Sequence, residues 1–196
     1  MGLFSLEHGK AAYRVDFAAY GTAVVLLTAF LLAATPHVRR LEIGVLACVG
    51  LASWTAIEYA LHRFVLHGLE PFRSWHAEHH RRPTALICTP TILSAALIAA
   101  LVFLPALVLG DVWRACALTL GITTGYLAYA TTHHATHHWR ARNAWLKRRK
   151  HWHALHHLRV AQPGCFGVTS AFWDHLFGST HRAAAPANDD ESWCDA

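Results

Sequence analysis

The chain has 196 residues, of which 54% are apolar and only 15% are charged, and its net charge is +5. An average soluble domain is about 45–50% apolar and about 25% charged, so the composition excludes a disordered chain and disfavours an ordinary soluble domain. A net positive charge could indicate a protein that binds nucleic acid. The apolar excess instead favours a membrane protein with basic cytoplasmic edges and no nucleic-acid partner.

Four apolar segments are long enough to be membrane-spanning helices. A helix rises 1.5 Å per residue, so about 20 apolar residues cross a hydrocarbon core about 30 Å thick. The first segment carries no charge, and we expect a signal anchor rather than a cleaved signal peptide because further spans follow. Pro90 and Pro105 interrupt the third, which is either one kinked helix or a re-entrant piece plus a helix. The four segments are residues 17–35, 41–61, 85–110 and 112–132.

The distribution of Lys and Arg predicts the orientation of these spans. Most basic residues fall in residues 1–16, 61–85 and 133–182, which share one side of the membrane if there are four spans. Basic residues are enriched in cytoplasmic loops, so we expect a multi-pass protein with both termini in the cytoplasm. Residues 1–182 are expected to form one membrane domain. Residues 183–196 are small, polar and acidic, which predicts a disordered tail.

Histidine is the compositional outlier, with 17 copies, as many as Lys and Arg together. Most of them lie in two of the cytoplasmic segments, which contain HRFVLH and HAEHH in the first and THHATHH and HALHH in the second. Both segments follow a span and lie on the same side of the membrane, so the topology brings them together. The five Cys residues show no paired spacing, which excludes a disulfide framework and a cysteine-based zinc finger.

The spacing of these histidines has a geometric meaning. In HAEHH and in HALHH the imidazoles stand at i, i+3 and i+4, on one helix face, and His133 and His137 stand at i, i+4. His62 and His67 are five apart, about 140° around an ideal helix, which would suit a helix that ends or bends near Gly68. Ten positions together offer enough imidazoles for two metal ions: His62, His67, His76, His79, His80, His133, His137, His153, His156 and His157.

Metal binding is favoured over the simpler explanation, a basic face that binds anionic lipid. General charge requires no spacing rule, and Lys or Arg would provide it better at neutral pH. Ligation by imidazole alone suits Fe, Zn, Cu or Ni and disfavours Mg or Ca. Because the histidines lie just beyond the ends of the spans, they also disfavour a metal transporter, whose ligands would be expected near the bilayer midplane.

Two carboxylates are candidates for supporting such a centre. Glu58 stands one helical turn before His62 and could orient an imidazole. Asp174 is a weaker candidate, for which a salt bridge with Arg is the alternative. Glu78 is expected to be an ordinary exposed charge on its helix.

Taken with the closing motif FGVTSAFWDHLFG, the histidine pattern resembles the fatty acid hydroxylase superfamily over residues 57–180. The resemblance implies an all-α integral membrane fold with about four spanning helices under a cytosolic, His-rich helical cap. It also implies that the ten histidines named above ligate a dinuclear metal centre. His134 and His138 are also four apart. Thr132-His133 fits the family's TH-x3-HH pattern and favours the His133/His137 register.

The resemblance implies a lipid hydroxylase that uses O₂, two electrons and two metal ions to oxidise an unactivated C–H bond of a fatty acid or fatty-acyl lipid. Iron is the expected metal, although zinc can occupy such a site in purified protein. The chain shows no fused cytochrome b5 domain, so we expect a separate donor, either cytochrome b5-like, a ferredoxin or a reductase. A sterol or carotenoid hydroxylase, or a lipid desaturase, remains an alternative; a non-catalytic metal-binding or metal-transport protein is more remote.

Overall fold

The computed structural model describes residue 7 and residues 9–87, 89–158 and 163–180. In these residues the regular structure is helical, apart from one isolated bridge between Glu7 and Ile87. The predicted tail, residues 183–196, lies outside the described residues. The helices are α1 (Lys10–Ala34), α2 (Arg40–Ala60), α3 (Phe72–Arg81), α4 (Thr91–Ile98), α5 (Leu104–Leu109), α6 (Val112–His138), α7 (Ala144–Leu158) and α8 (Phe172–Leu176), with a 3-10 turn at His37–Arg39 and π-helical turns at Leu61–Leu66 and Ala99–Phe103.

Three helical stretches are long and apolar enough to cross a membrane: Lys10–Ala34, His37–Leu66 and Thr91–Leu109. They contain the cores of the first three predicted spans. The third is a single continuous helix rather than a re-entrant piece plus a helix. Pro105 closely follows the π-helical turn Ala99–Phe103, and such a local change of hydrogen-bond register accommodates a residue without an N–H inside a continuous membrane helix.

The fourth predicted span lies in α6, a 27-residue helix that is not among the three apolar stretches found in the described residues. Its sequence mixes Gly, Thr and Tyr with Leu and Ile, which lowers its hydropathy. The same helix contributes many of the buried positions of the fold. Its composition therefore reflects packing against other helices more than contact with lipid.

The α2–α6 pair forms the centre of the bundle, with α1 packed against α6 as well. The two helices approach so closely that a Cβ on Gly50 would lie 2.7 Å from the Leu118 carbonyl oxygen, and a Cβ on Gly121 would overlap the backbone of Ala47. Gly125 leaves room for the Trp54 side chain in the same way. Small residues permit this approach in membrane helices, as in other Gly-x-x-x-Gly pairs.

An ion-pair cluster closes the end of the bundle where α2 and α6 begin. Arg39 Nη2 lies 2.8 Å from Asp111 Oδ2, and Arg114 Nε lies 2.7 Å from Glu42 Oε1. Asp111 also caps α6 by accepting hydrogen bonds from the Trp113 and Arg114 amides. Since both helices start at this cluster, both end on the opposite side, where the histidines follow.

Candidate metal centre

Two groups of imidazoles lie at the end of α2 and α6, and within each group the ring nitrogens approach to within 4.8 Å of one another. His157 lies between the groups, with Nε2 3.1 Å from His153 Nε2 and its ring stacked on that of His80 at 4.2 Å. The structure thus brings all ten predicted positions together. The first group is His62, His67, His76, His80 and His156; the second is His79, His133, His137 and His153.

A π-helical turn explains how His62 and His67 share the first group. The turn covers Leu61–Leu66, and its i to i+5 hydrogen bonding brings residues five apart onto one face. The two ring centroids are 5.3 Å apart. The helical stretch ends at Leu66, close to Gly68 as expected, and it departs from α geometry from Leu61 onward.

Helices α3 and α7 each supply both groups. On α3, His76 and His80 belong to the first group, with their Nε2 atoms 3.0 Å apart, while His79 belongs to the second. On α7, His153 belongs to the second group and His156 to the first. The HxxHH spacing thus allows one helix to lie between the two groups and to contribute an imidazole to each.

Helix α6 contributes His133 and His137 to the second group, in the register that the sequence favours. His134 and His138 stack on each other instead, with ring centroids 4.4 Å apart. The Tyr13 hydroxyl lies 3.2 Å from His134 Nδ1, which ties that ring to α1.

Two backbone carbonyls fix the tautomers of two imidazoles in the first group. His62 Nδ1 lies 2.6 Å from the Phe166 carbonyl oxygen, and His156 Nδ1 lies 2.8 Å from that of Gly164. A carbonyl only accepts, so Nδ1 carries the proton and Nε2 of the neutral ring presents a lone pair. Yet His62 Nε2 lies 3.0 Å from Nε2 of His76. Convergence of lone pairs at this distance is suited to a cation, so the donor set fits metal ions.

Burial keeps the imidazoles neutral. Burial, followed by the positive charge that neighbouring imidazoles would carry, lowers the pKa of His79 to about 2, of His157 to about 3 and of His67 to about 4. Imidazole must be neutral to ligate a metal. The site is therefore in its metal-binding protonation state at neutral pH.

Glu58 and Asp174 hold the loop formed by residues 163–171, which supplies those two carbonyls. Glu58 is 3% exposed and accepts from the Val168 and Thr169 amides at 2.7 and 2.9 Å. Asp174 is fully buried and accepts from the Phe166 and Gly167 amides, each at 2.8 Å. The Glu58 carboxylate therefore contacts the loop backbone, and among the described residues no hydrogen bond joins it to His62.

Other features of this region bear on the sequence expectations. Asp174 accepts hydrogen bonds from two backbone amides and the Ser179 hydroxyl, and within the described part of the chain it forms no salt bridge with Arg, which was the alternative. Glu78 forms ion pairs with Arg81 and Arg82 on the surface of α3, as expected. Sequence reasoning missed the carbonyls of Gly164 and Phe166, because a backbone acceptor has no side-chain signature.

The sequence model described as fatty acid hydroxylase matches residues 47–179, which include both histidine groups and the loop. The chain belongs to the fatty acid hydroxylase family. Together with its three apolar helices, this membership identifies an integral membrane protein.

Individual members of the fatty acid hydroxylase family are similar over much of this chain. The dihydroceramide fatty acyl 2-hydroxylase FAH2 of Arabidopsis thaliana is 32% identical over 157 residues, 74% of this chain and 65% of the relative. The ceramide very long chain fatty acid hydroxylase SCS7 of Saccharomyces cerevisiae is 32% identical over 170 residues, 78% of this chain and 42% of the relative. The chain thus spans less than two thirds of these relatives.

A solved structure shows the same fold. The structure described as full-length scs7p, with only its hydroxylase domain visible, superposes with a TM-score of 0.75 at 29% identity. The match covers 89% of this chain and 69% of that one.

In this hydroxylase-family fold, a cavity of about 100 Å³ adjoins the two histidine groups. Its wall on the side of the two histidine groups includes His76, His79 and His133. Aromatic rings from α1, α3 and α6 form much of the remainder, with the buried carboxylate of Asp16 on α1. The aromatic lining residues are Tyr13, Phe17, Phe72, Trp75, Tyr126 and Tyr129.

Proposed function

We propose that the protein is an O₂-dependent hydroxylase of a fatty acid or fatty-acyl lipid, and that it oxidises the carbon next to the acyl carbonyl. The observation that carries the proposal is the convergence of ten imidazoles into two adjoining groups with their Nε2 atoms facing one another. The 2-hydroxylase names of the similar proteins support the choice of carbon. Overall, RH, O₂, two electrons and two protons would give ROH and water.

The ten histidines would hold two metal ions, with one ion in each group and His157 at the boundary. Two iron ions bound there would supply the O₂-dependent redox chemistry that breaks an unactivated C–H bond. Iron is expected because zinc has no redox states, although isolated protein could carry zinc. The carbonyls of Gly164 and Phe166 keep Nδ1 of two rings protonated, so that Nε2 of each ring would be free to ligate a bound metal.

The cavity beside His76, His79 and His133 would receive the reacting part of the lipid. Its aromatic walls exclude water and pack against an apolar chain, which positions the C–H bond at the metal side. Because the cavity adjoins the apolar helix α1, the substrate would enter from the lipid phase.

The membrane arrangement that we propose has four spans, with α6 as the fourth. Its 27 residues measure about 40 Å, and it begins at the same ion-pair cluster as α2. The termini, the His-rich cap and the metal centre would lie in the cytoplasm. Residues 1–182 would form one domain, with residues 183–196 as a tail. Electrons would come from a separate cytochrome b5-like protein, ferredoxin or reductase.

The test combines metal content with lipid products. Wild type, a His156→Ala/His157→Ala variant and a His151→Ala control would be produced in a lipid-synthesising host with iron supplied. His151 is exposed on the same helix as the two ligands and should be dispensable. Wild type and the control should hold two metals per chain and add one oxygen atom to one lipid class, and the double variant should do neither. Metal-free wild type would refute the centre, and loss of two hydrogens would indicate a desaturase.

A further inference from the structure

His134 and His138 are the histidines of α6 that the metal centre does not use. Each follows a centre residue by one position and is therefore rotated about 100° around the helix. Their rings lie nearly parallel, with an interplanar angle of 24°, whereas the ring nitrogens of the centre converge. The Phe17 ring meets His134 edge-on at 6.0 Å, so this pair faces α1.

The pair lies in an open groove of about 580 Å³ between the start of α1, residues 84–86 and the end of α6. Its charged or titratable side chains are Lys10, Arg14, His134, His138 and Tyr13, and no acidic residue is among the described residues that line it. Its apolar surface includes Phe17, Leu86 and Trp139.

The position of the groove matches the head-group layer of a bilayer. The candidate span formed by α1 begins at Lys10, so Lys10 and Arg14 lie where basic side chains reach out to phosphate. Trp139 is 51% exposed, and Trp is enriched at the membrane interface. A basic rim above an apolar wall is complementary to a phosphate joined to acyl chains.

We propose that this groove binds the anionic head group of a membrane phospholipid. Lys10, Arg14 and the imidazole N–H groups of His134 and His138 bind the phosphate, while Phe17 and Trp139 contact the start of the acyl chains. The start of α1 adds the positive end of a helix dipole.

The bound phospholipid lies next to the cavity of the metal centre, because Tyr13 and Phe17 line both spaces. It holds the outer side of these two rings in place. The proposal does not depend on hydroxylase activity, since lipid binding is measured without turnover.

The experiment uses full-length, metal-loaded protein in neutral detergent, examined by native mass spectrometry. A Lys10→Gln/Arg14→Gln variant removes two charges from the groove. A Lys147→Gln/Arg148→Gln variant removes the same charge from exposed residues of α7 and serves as the matched control. Phosphatidylglycerol, phosphatidylcholine and inorganic phosphate are the probes. Wild type and control should retain one phosphatidylglycerol, and the groove variant should bind it at least about tenfold more weakly.

Several results would overturn the proposal. Equal affinity for phosphatidylglycerol in all three proteins would show that the groove is not the binding site. An equal loss of affinity in the control would show that only the net charge of the protein matters. Equal retention of phosphatidylcholine would exclude recognition of anionic charge. Displacement of the lipid by an equal concentration of inorganic phosphate would indicate a free-anion site. A His134→Gln/His138→Gln variant should keep the wild-type metal content, and loss of one metal would make the pair a metal site instead.

Discussion

Glu58 and Thr169, 111 residues apart in the chain, are joined by two hydrogen bonds, from the Thr169 amide and hydroxyl to the two oxygens of the Glu58 carboxylate. Three residues before Thr169, the Phe166 carbonyl receives the Nδ1 proton of His62. The helix that carries His62 therefore also carries the carboxylate that holds its hydrogen-bond acceptor in place. The loop and the helix hold each other in position, and the orientation of the His62 imidazole depends on both.

Replacing this carboxylate should weaken metal binding although Glu58 is not one of the ten proposed ligands. In Glu58→Gln an NH₂ group takes the place of one acceptor and faces an amide or hydroxyl donor. We expect metal affinity, measured by chelator competition, to fall about 10–100-fold. This is the usual effect of losing a group that holds a metal ligand in its orientation. Glu78→Gln, which breaks only surface ion pairs, is the control. Unchanged affinity in folded Glu58→Gln protein would contradict the role of the loop.

Asp174→Asn should act on the same loop from its other side. Asp174 accepts from the Phe166 and Gly167 amides and from the Ser179 hydroxyl, so an amide at this position leaves a buried donor without an acceptor. We expect a loss of about 1–3 kcal/mol in the free energy of unfolding. Because both carboxylates hold one loop, the double variant with Glu58→Gln should lose less than the sum of the two single losses. Strict additivity in thermal unfolding would show that they act independently.

Some of this site is evident in the sequence and some is not. Histidine spacing on α3 and α7 predicts which side chains share a helix face, because i, i+3 and i+4 positions converge in any α-helix. The π-helical turn Leu61–Leu66 places residues five apart on one face instead, and nothing in the composition of these six residues predicts such a turn. The Gly and Thr residues of α6 do not indicate from sequence that this helix lies at the centre of the bundle. They are there because close packing against α2 requires small side chains rather than large apolar ones.

The close approach of α2 and α6 gives a prediction about stability. A methyl group at Gly121 would overlap the backbone of Ala47, so the helices must separate in Gly121→Ala. Overpacking of this kind costs about 1–3 kcal/mol, which should lower Tm in detergent by several degrees. Gly44→Ala is the matched control, because a Cβ at Gly44 would meet no described atom within 4 Å beyond its chain neighbours and the nearby backbone of its own helix. An equal Tm for the two variants would show that the interface tolerates the methyl group.

The buried imidazoles predict how the metal-free protein responds to acid. The pKa values of His67, His157 and His79 are lowered to about 4, 3 and 2, whereas an unfolded chain binds these protons near pH 6.5. Below pH 6.5 the unfolded state therefore binds more protons than the folded state, so the free energy of unfolding falls with falling pH. It should be nearly constant between pH 7 and 8 and decline steadily from pH 6.5 to 4, as measured by chemical denaturation.

Metal release should follow a different curve from that of an exposed histidine site. Protons reach the ligands of the folded protein only well below pH 6.5, so bound metal should persist through that pH and be released together with unfolding at lower pH. Metal content after equilibration at each pH, compared with tryptophan fluorescence, measures both events. Release with a midpoint near pH 6.5 from protein that stays folded would mean that the imidazoles titrate as exposed groups do, which contradicts a buried centre.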